Sequence, residues 1–191
     1  MVTKVIETGA LYFSYTVKDD SKAANSFEDI DRFYLVMVPD AVEPEKEKLV
    51  RELVVGQKCL PAIADDSAMS IERNWAFVDY ITGNQADIPA KNSAGTARYR
   101  LTVHDDRSEL AYVLEPPEQP DEMQRAFNIM PEASYIVKVK HPETINPYYA
   151  GAEQEPEYPE ALEILFDEDW IDIVDERLLN YENAQIILIG T

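Results

Sequence analysis

ARYRLTVHDDRSELAYVLE (97–115) decides the fold. In its first half Tyr99, Leu101 and Val103 fall on one side of an extended chain, and Arg98, Arg100, Thr102 and His104 on the other. That is the two-residue period of a half-buried strand. Asp105-Asp106-Arg107-Ser108 is a turn, and ELAYVLE (109–115) returns as a second strand, so the stretch predicts a β-hairpin. Pro116-Pro117 ends it, because proline has no N–H to give to a ladder.

Further along, Asp121 is placed to N-cap a short helix, EMQRAFNIM, with Met123, Ala126, Phe127 and Met130 on its inner face and Pro131 as its stop. ASYIVKVK (133–140) predicts a strand. Toward the N-terminus, ALYFSYTVK (10–18), the near-continuous apolar run RFYLVMVP (32–39) and IERNWAFVDYIT (71–82) also predict strands. AQIILIG (184–190) predicts a buried terminal one. PEKEKLVRELVVG (44–56) predicts a helix: Pro44 opens it, Leu49, Val50, Leu53 and Val54 form a stripe, and Gly56 ends it. Residues 84–96 read as loop, 161–166 fits either helix or strand, and 174–182 predicts a helix. The expected architecture is a single compact α+β domain over residues 1–191. It has a mainly antiparallel or mixed sheet and two or three short helices. Residues 141–160, with four prolines, form an acidic connector to a C-terminal helix–strand unit.

LAYVLEPPEQPDEMQRAFNIMPEASYIVKVKHPE (110–143) and LLNYENAQIILIG (178–190) resemble segments of a conserved bacterial protein family of unknown function. The resemblance implies a folded domain and attaches no activity, cofactor or catalytic residue.

The net charge is -20 over 191 residues. From Glu143 to Glu182 thirteen acidic residues face one basic residue, Arg177, so this segment holds most of the excess. Such a surface repels phosphate backbones and anionic membranes, which argues against nucleic acid and membrane as partners. It also fits adaptation to a salt-rich cytoplasm, or plain solubility. Cys59 is the one cysteine, which rules out an intrachain disulfide and suits a reducing compartment. The N-terminus reads as a strand rather than a signal peptide, and no stretch approaches the ~18–20 apolar residues of a membrane span. These features point to the cytoplasm.

Arg98 and Arg100 share one strand face, and Lys138 and Lys140 share another. Aligned, they would make a cationic patch for a carboxylate or phosphate; otherwise they are solvated cations paired with Glu109 or Glu115. His104, beside Asp105-Asp106, is a candidate acid/base or metal ligand, against the ordinary turn chemistry of Asp-Asp. His141 reads as a boundary residue unless it converges with His104. Cys59 lacks a nucleophile signature and reads as structural. Asp65-Asp66 and Asp167–Asp172 read as solvated acidic edges, without the glycine and spacing of a calcium loop. No metal and no cofactor is expected: phosphate-binding, zinc-protease and serine-hydrolase motifs are all missing.

The leading expectation is a non-catalytic binding or interaction protein that meets a protein partner through Tyr148, Tyr149 and Trp170. A second is a small enzyme or binder of an anionic metabolite that uses Arg98, Arg100 and His104. A third is a nucleic-acid mimic that occupies a basic partner. The oligomeric state is left open.

Overall fold

In the computed structural model, residues 2–19, 23–24, 26–41, 48–64, 71–105, 107–116, 121–145, 152 and 154–190 are described. Lys4–Val17 (β1) is a long strand whose Gly9, Leu11 and Phe13 are buried while the residues between them are half-exposed. It pairs antiparallel with Ile30–Pro39 (β2) on one side and Asn92–Val103 (β5) on the other. Val50–Val55 (β3) and Arg73–Thr82 (β4) continue beyond β2. Ser108–Leu114 (β6) and Glu132–Lys140 (β7) continue beyond β5. Gln185–Gly190 (β9) then pairs with both β4 and β7. The ring β1-β2-β3-β4-β9-β7-β6-β5 is thereby closed, an eight-stranded barrel with every pairing antiparallel. Trp170–Asp172 (β8) adds a short ninth strand to β7, where β6 has ended.

This corrects the α+β expectation. The only α-helices among the described residues are Glu122–Ala126 (α1) and Glu160–Glu163 (α2). A sheet that closes on itself buries its apolar face without a helical layer and leaves no free edge. The hairpin is present as expected, β5 and β6 pairing from Val103↔Ser108 to Ala97↔Leu114.

The helix expected over 44–56 is a strand over Val50–Val55; residues 42–47 lie outside the described residues. The reason is burial on both faces. Leu53 and Val55 point into the barrel core. Val50 packs outside with Val36, Val38 and Ile88, and Val54 with Tyr34, Phe77 and Ala152. Apolar residues at neighbouring positions then imitate a helical stripe.

The barrel is filled. Leu11, Phe13, Phe33, Leu35, Leu53, Leu101, Leu110, Tyr135, Val137 and Leu188 meet inside it, and the gap left among them has no room for a water molecule. One end is plugged by α1 and the turn after it. Asp121 caps that helix through Gln124 N–H at 2.8 Å, and Gln124 answers through Asp121 N–H at 2.9 Å, a reciprocal cap. Phe127 lies flat on Phe33 with ring centroids 4.4 Å apart. The other end, here the mouth, is covered by the C-terminal segment, which brings Tyr158, Leu162, Ile171, Leu178 and Leu179 into the same core. Of the segment expected to be helical over 174–182, Glu176–Leu179 forms a 3-10 turn.

On β5 the charges face out: Arg98 and Arg100 point outward while Tyr99 and Leu101 point in. No helix among the described residues is long and apolar enough to cross a membrane.

Candidate functional site

Three inward positions near the mouth break the apolar pattern. Glu7 on β1, Arg51 on β3 and Tyr99 on β5 sit in register with Leu11, Leu53 and Leu101, yet they are polar. Arg51 is 1% exposed and Glu7 8%, so neither can rely on water. Each finds its partner in the other. Arg51 Nη1 donates to Glu7 Oε1 and Nη2 to Oε2, both at 2.7 Å, the fork-to-fork geometry peculiar to guanidinium and carboxylate. Arg51 Nε donates to Asn180 Oδ1 at 2.7 Å, and Tyr99 Oη to Glu7 Oε1 at 2.5 Å. Burial opposes the charge on Arg51, but the hydrogen bonds and charge of Glu7 outweigh it and hold the guanidinium pKa above its ordinary value. Burial, then the charge and hydrogen bond of Glu7, push the Tyr99 phenol far above the usual tyrosine range. Gly9 makes room for the Tyr99 ring: a Cβ there would collide with Val38 O and with the ring itself.

This network floors a recess of about 550 Å³ between the barrel rim and the C-terminal plug. The recess is lined by Lys4, Val5 and Ile6 of β1, by Pro39, Asp40 and Ala41 at the end of β2, by Lys48 and Leu49 before β3, and by Glu176, Arg177, Asn180 and Tyr181 of the C-terminal segment. Among the described residues the lining combines seven charged side chains and Asn180 with six apolar ones over a fixed floor, which is more polar than most small-molecule sites.

The cationic patch expected from Arg98, Arg100, Lys138 and Lys140 does not assemble, because β6 lies between β5 and β7. Arg98 and Arg100 line a separate shallow groove of about 470 Å³ on the outer sheet face, with Thr8, Ala111 and Val113. Arg98 is ion-paired to Asp40, and this hydrogen bond draws the Asp40 carboxyl below its ordinary range. Lys138 lies 3.9 Å from Asp172. Lys140 is 2% exposed; its ammonium donates to the carbonyls of His141, Pro142 and Thr144 at 3.0, 3.1 and 2.5 Å and to Glu155 at 3.2 Å. It ties down the start of the connector and offers nothing to a ligand.

His104 bonds Thr3 Oγ1 at 3.0 Å and Glu109 Oε2 at 3.1 Å. His141 accepts from Glu143 N–H at 3.1 Å and meets the Phe166 ring edge-on. The two share no partner, and His104 does not line the arginine groove. Burial raises the Cys59 thiol, which Asn74 contacts at 3.8 Å; a raised thiol is a poor nucleophile. Trp170 is half-buried in β8 opposite Lys140. Tyr148, Tyr149 and Asp65-Asp66 lie outside the described residues. Among the described residues no group of three His, Cys, Asp or Glu is placed to hold a metal ion.

Sequence reasoning passed over Glu7, Arg51 and Tyr99. For Glu7 the available signal was phase: a charged residue on the apolar beat of an alternating strand must be buried and therefore paired. Comparison with protein-family models, curated proteins and solved structures finds no match. The likeness of 110–143 and 178–190 to bacterial proteins gains no support from it.

Proposed function

We propose that the protein is a non-catalytic binding protein whose ligand is a small molecule seated in the mouth recess. The observation that carries this reading is the buried Glu7–Arg51–Tyr99–Asn180 network beneath an open concavity of about 550 Å³. A recess of that size suits a metabolite, and a floor of mutually bonded groups is already ordered before anything binds, which lowers the cost of association. The reading also draws on what those groups are doing. A catalytic acid, base or nucleophile needs a free valence aimed at substrate. Here both Glu7 oxygens are taken by Arg51, and Arg51 commits its remaining Nε to Asn180. A packed barrel interior argues against a ligand carried down the barrel axis.

The test is a fragment screen by amide-resolved NMR, with Leu49→Trp as the blocking variant. Fragments that shift the resonances of residues 4–7, 48–51 and 176–181, and that lose this effect in Leu49→Trp while its spectrum stays folded, support the site. If no fragment perturbs these residues, the reading fails.

A further inference from the structure

We infer that the recess takes a small carboxylate- or phosphate-bearing anion, held at the rim by Lys4 and Lys48; this rests on the binding reading above. The chain carries 37 acidic and 17 basic residues, so a random patch of its surface should be acidic by about two to one. Among the described residues the recess reverses the balance: Lys4, Lys48, Arg51 and Arg177 line it against Glu7, Asp40 and Glu176.

The bound pairs sharpen the contrast. Glu7 and Arg51 neutralise each other. Asp40 is held by Arg98, which reaches it from the outer sheet face and is not part of the recess. Arg177 is spread over both oxygens of Asp175. Lys4 and Lys48 are exposed, and among the described residues neither lies within ion-pair distance of a carboxylate, though the charge of Lys48 helps to lower the Asp40 carboxyl. Two unpaired ammonium groups over a concave wall, within a protein otherwise surrounded by negative potential, concentrate the local field where an anion can use it. Val5, Ile6, Leu49 and Tyr181 give the ligand's carbon skeleton an apolar wall. Asn180, its Oδ1 already bonded to Arg51, keeps an amide N–H₂ for a ligand oxygen.

The experiment compares matched six-carbon probes on the full chain at constant ionic strength: adipate, hexane-1,6-diol and hexane-1,6-diamine, with inorganic phosphate alongside. Binding is followed by the amide resonances of the recess. Adipate and phosphate should shift residues 4–6, 48–49 and 177–181. The Kd for adipate should rise by about fivefold in Lys4→Ala and in Lys48→Ala, as expected of one partly exposed charge contact. Preference for the diol or the diamine at the recess overturns the anion inference and leaves the binding reading standing. Adipate shifts centred on Arg98 and Arg100, or an unchanged Kd in both lysine variants, also overturn it, because the anion then binds elsewhere. Silence of the recess toward all four probes and toward the fragment set removes both.

Discussion

Glu7 and Arg51 are 44 positions apart in the chain, yet they lie fork to fork inside the barrel, two N–H···O bonds of 2.7 Å joining them. A buried ion pair of this kind is asymmetric in its energetics: desolvation nearly cancels its attraction, but either partner alone is ruinous. Arg51→Ala should therefore cost about 3–5 kcal/mol, read by urea denaturation. The double variant Glu7→Leu with Arg51→Met should recover most of that loss. Equal instability of the single and double variants would show that the pair contributes more than mutual neutralisation.

Tyr99 supplies Glu7 with a third hydrogen bond from a buried hydroxyl. Tyr99→Phe removes it while the ring stays packed against Gly9, and should cost about 1–3 kcal/mol. Gly9→Ala should be worse, since the new methyl meets the Val38 carbonyl as well as the ring. The order of the two in thermal unfolding checks the packing argument.

Alkaline stability is governed by the buried phenols. Burial raises Tyr99, Tyr112, Tyr135 and Tyr158 above the ordinary tyrosine value. The unfolded chain therefore releases these protons first, from about pH 10 upward. Stability is whole below that pH and falls as pH rises above it, with a slope set by the number of phenols that the folded state keeps protonated. Absorbance at the phenolate band should show these tyrosines ionising together with unfolding rather than before it. Early, independent ionisation would contradict their burial.

Lys140→Met should leave the barrel intact and loosen residues 141–144 at the start of the connector. Three carbonyls there lose their shared ammonium, for about 1–3 kcal/mol. Faster hydrogen exchange at His141 and Thr144, with β9 unchanged, is the expected pattern.

Much of the barrel was legible from alternation. β5, β6 and β7 read true because each has one buried and one wet face, as in Tyr99, Leu101 and Leu110 against Arg98, Arg100 and Ala111. β3 misled because Val50 and Val54 are buried under outer loops, which erases the two-residue period that marks a strand. Closure was not legible at all: nothing local to β9 says that both of its edges are taken. The recess was hidden for a similar reason. Its floor joins β1, β3, β5 and Asn180, and only register brings them together, although the out-of-phase polarity of Glu7 on β1 was there to be noticed.

The position of β9 bears on how the molecule comes to be. It is the last in sequence of the nine strands among the described residues, yet it sits between β4 and β7. As the chain emerges from the ribosome, the edges of Arg73–Phe77 and Tyr135–Val139, which β9 will occupy, must wait unpaired until the final strand arrives. Such edges are templates for pairing with other chains. The nascent protein is thus vulnerable to sticking to its neighbours until 185–190 has docked, and a mutation that slows this docking should show itself as lost yield before lost stability.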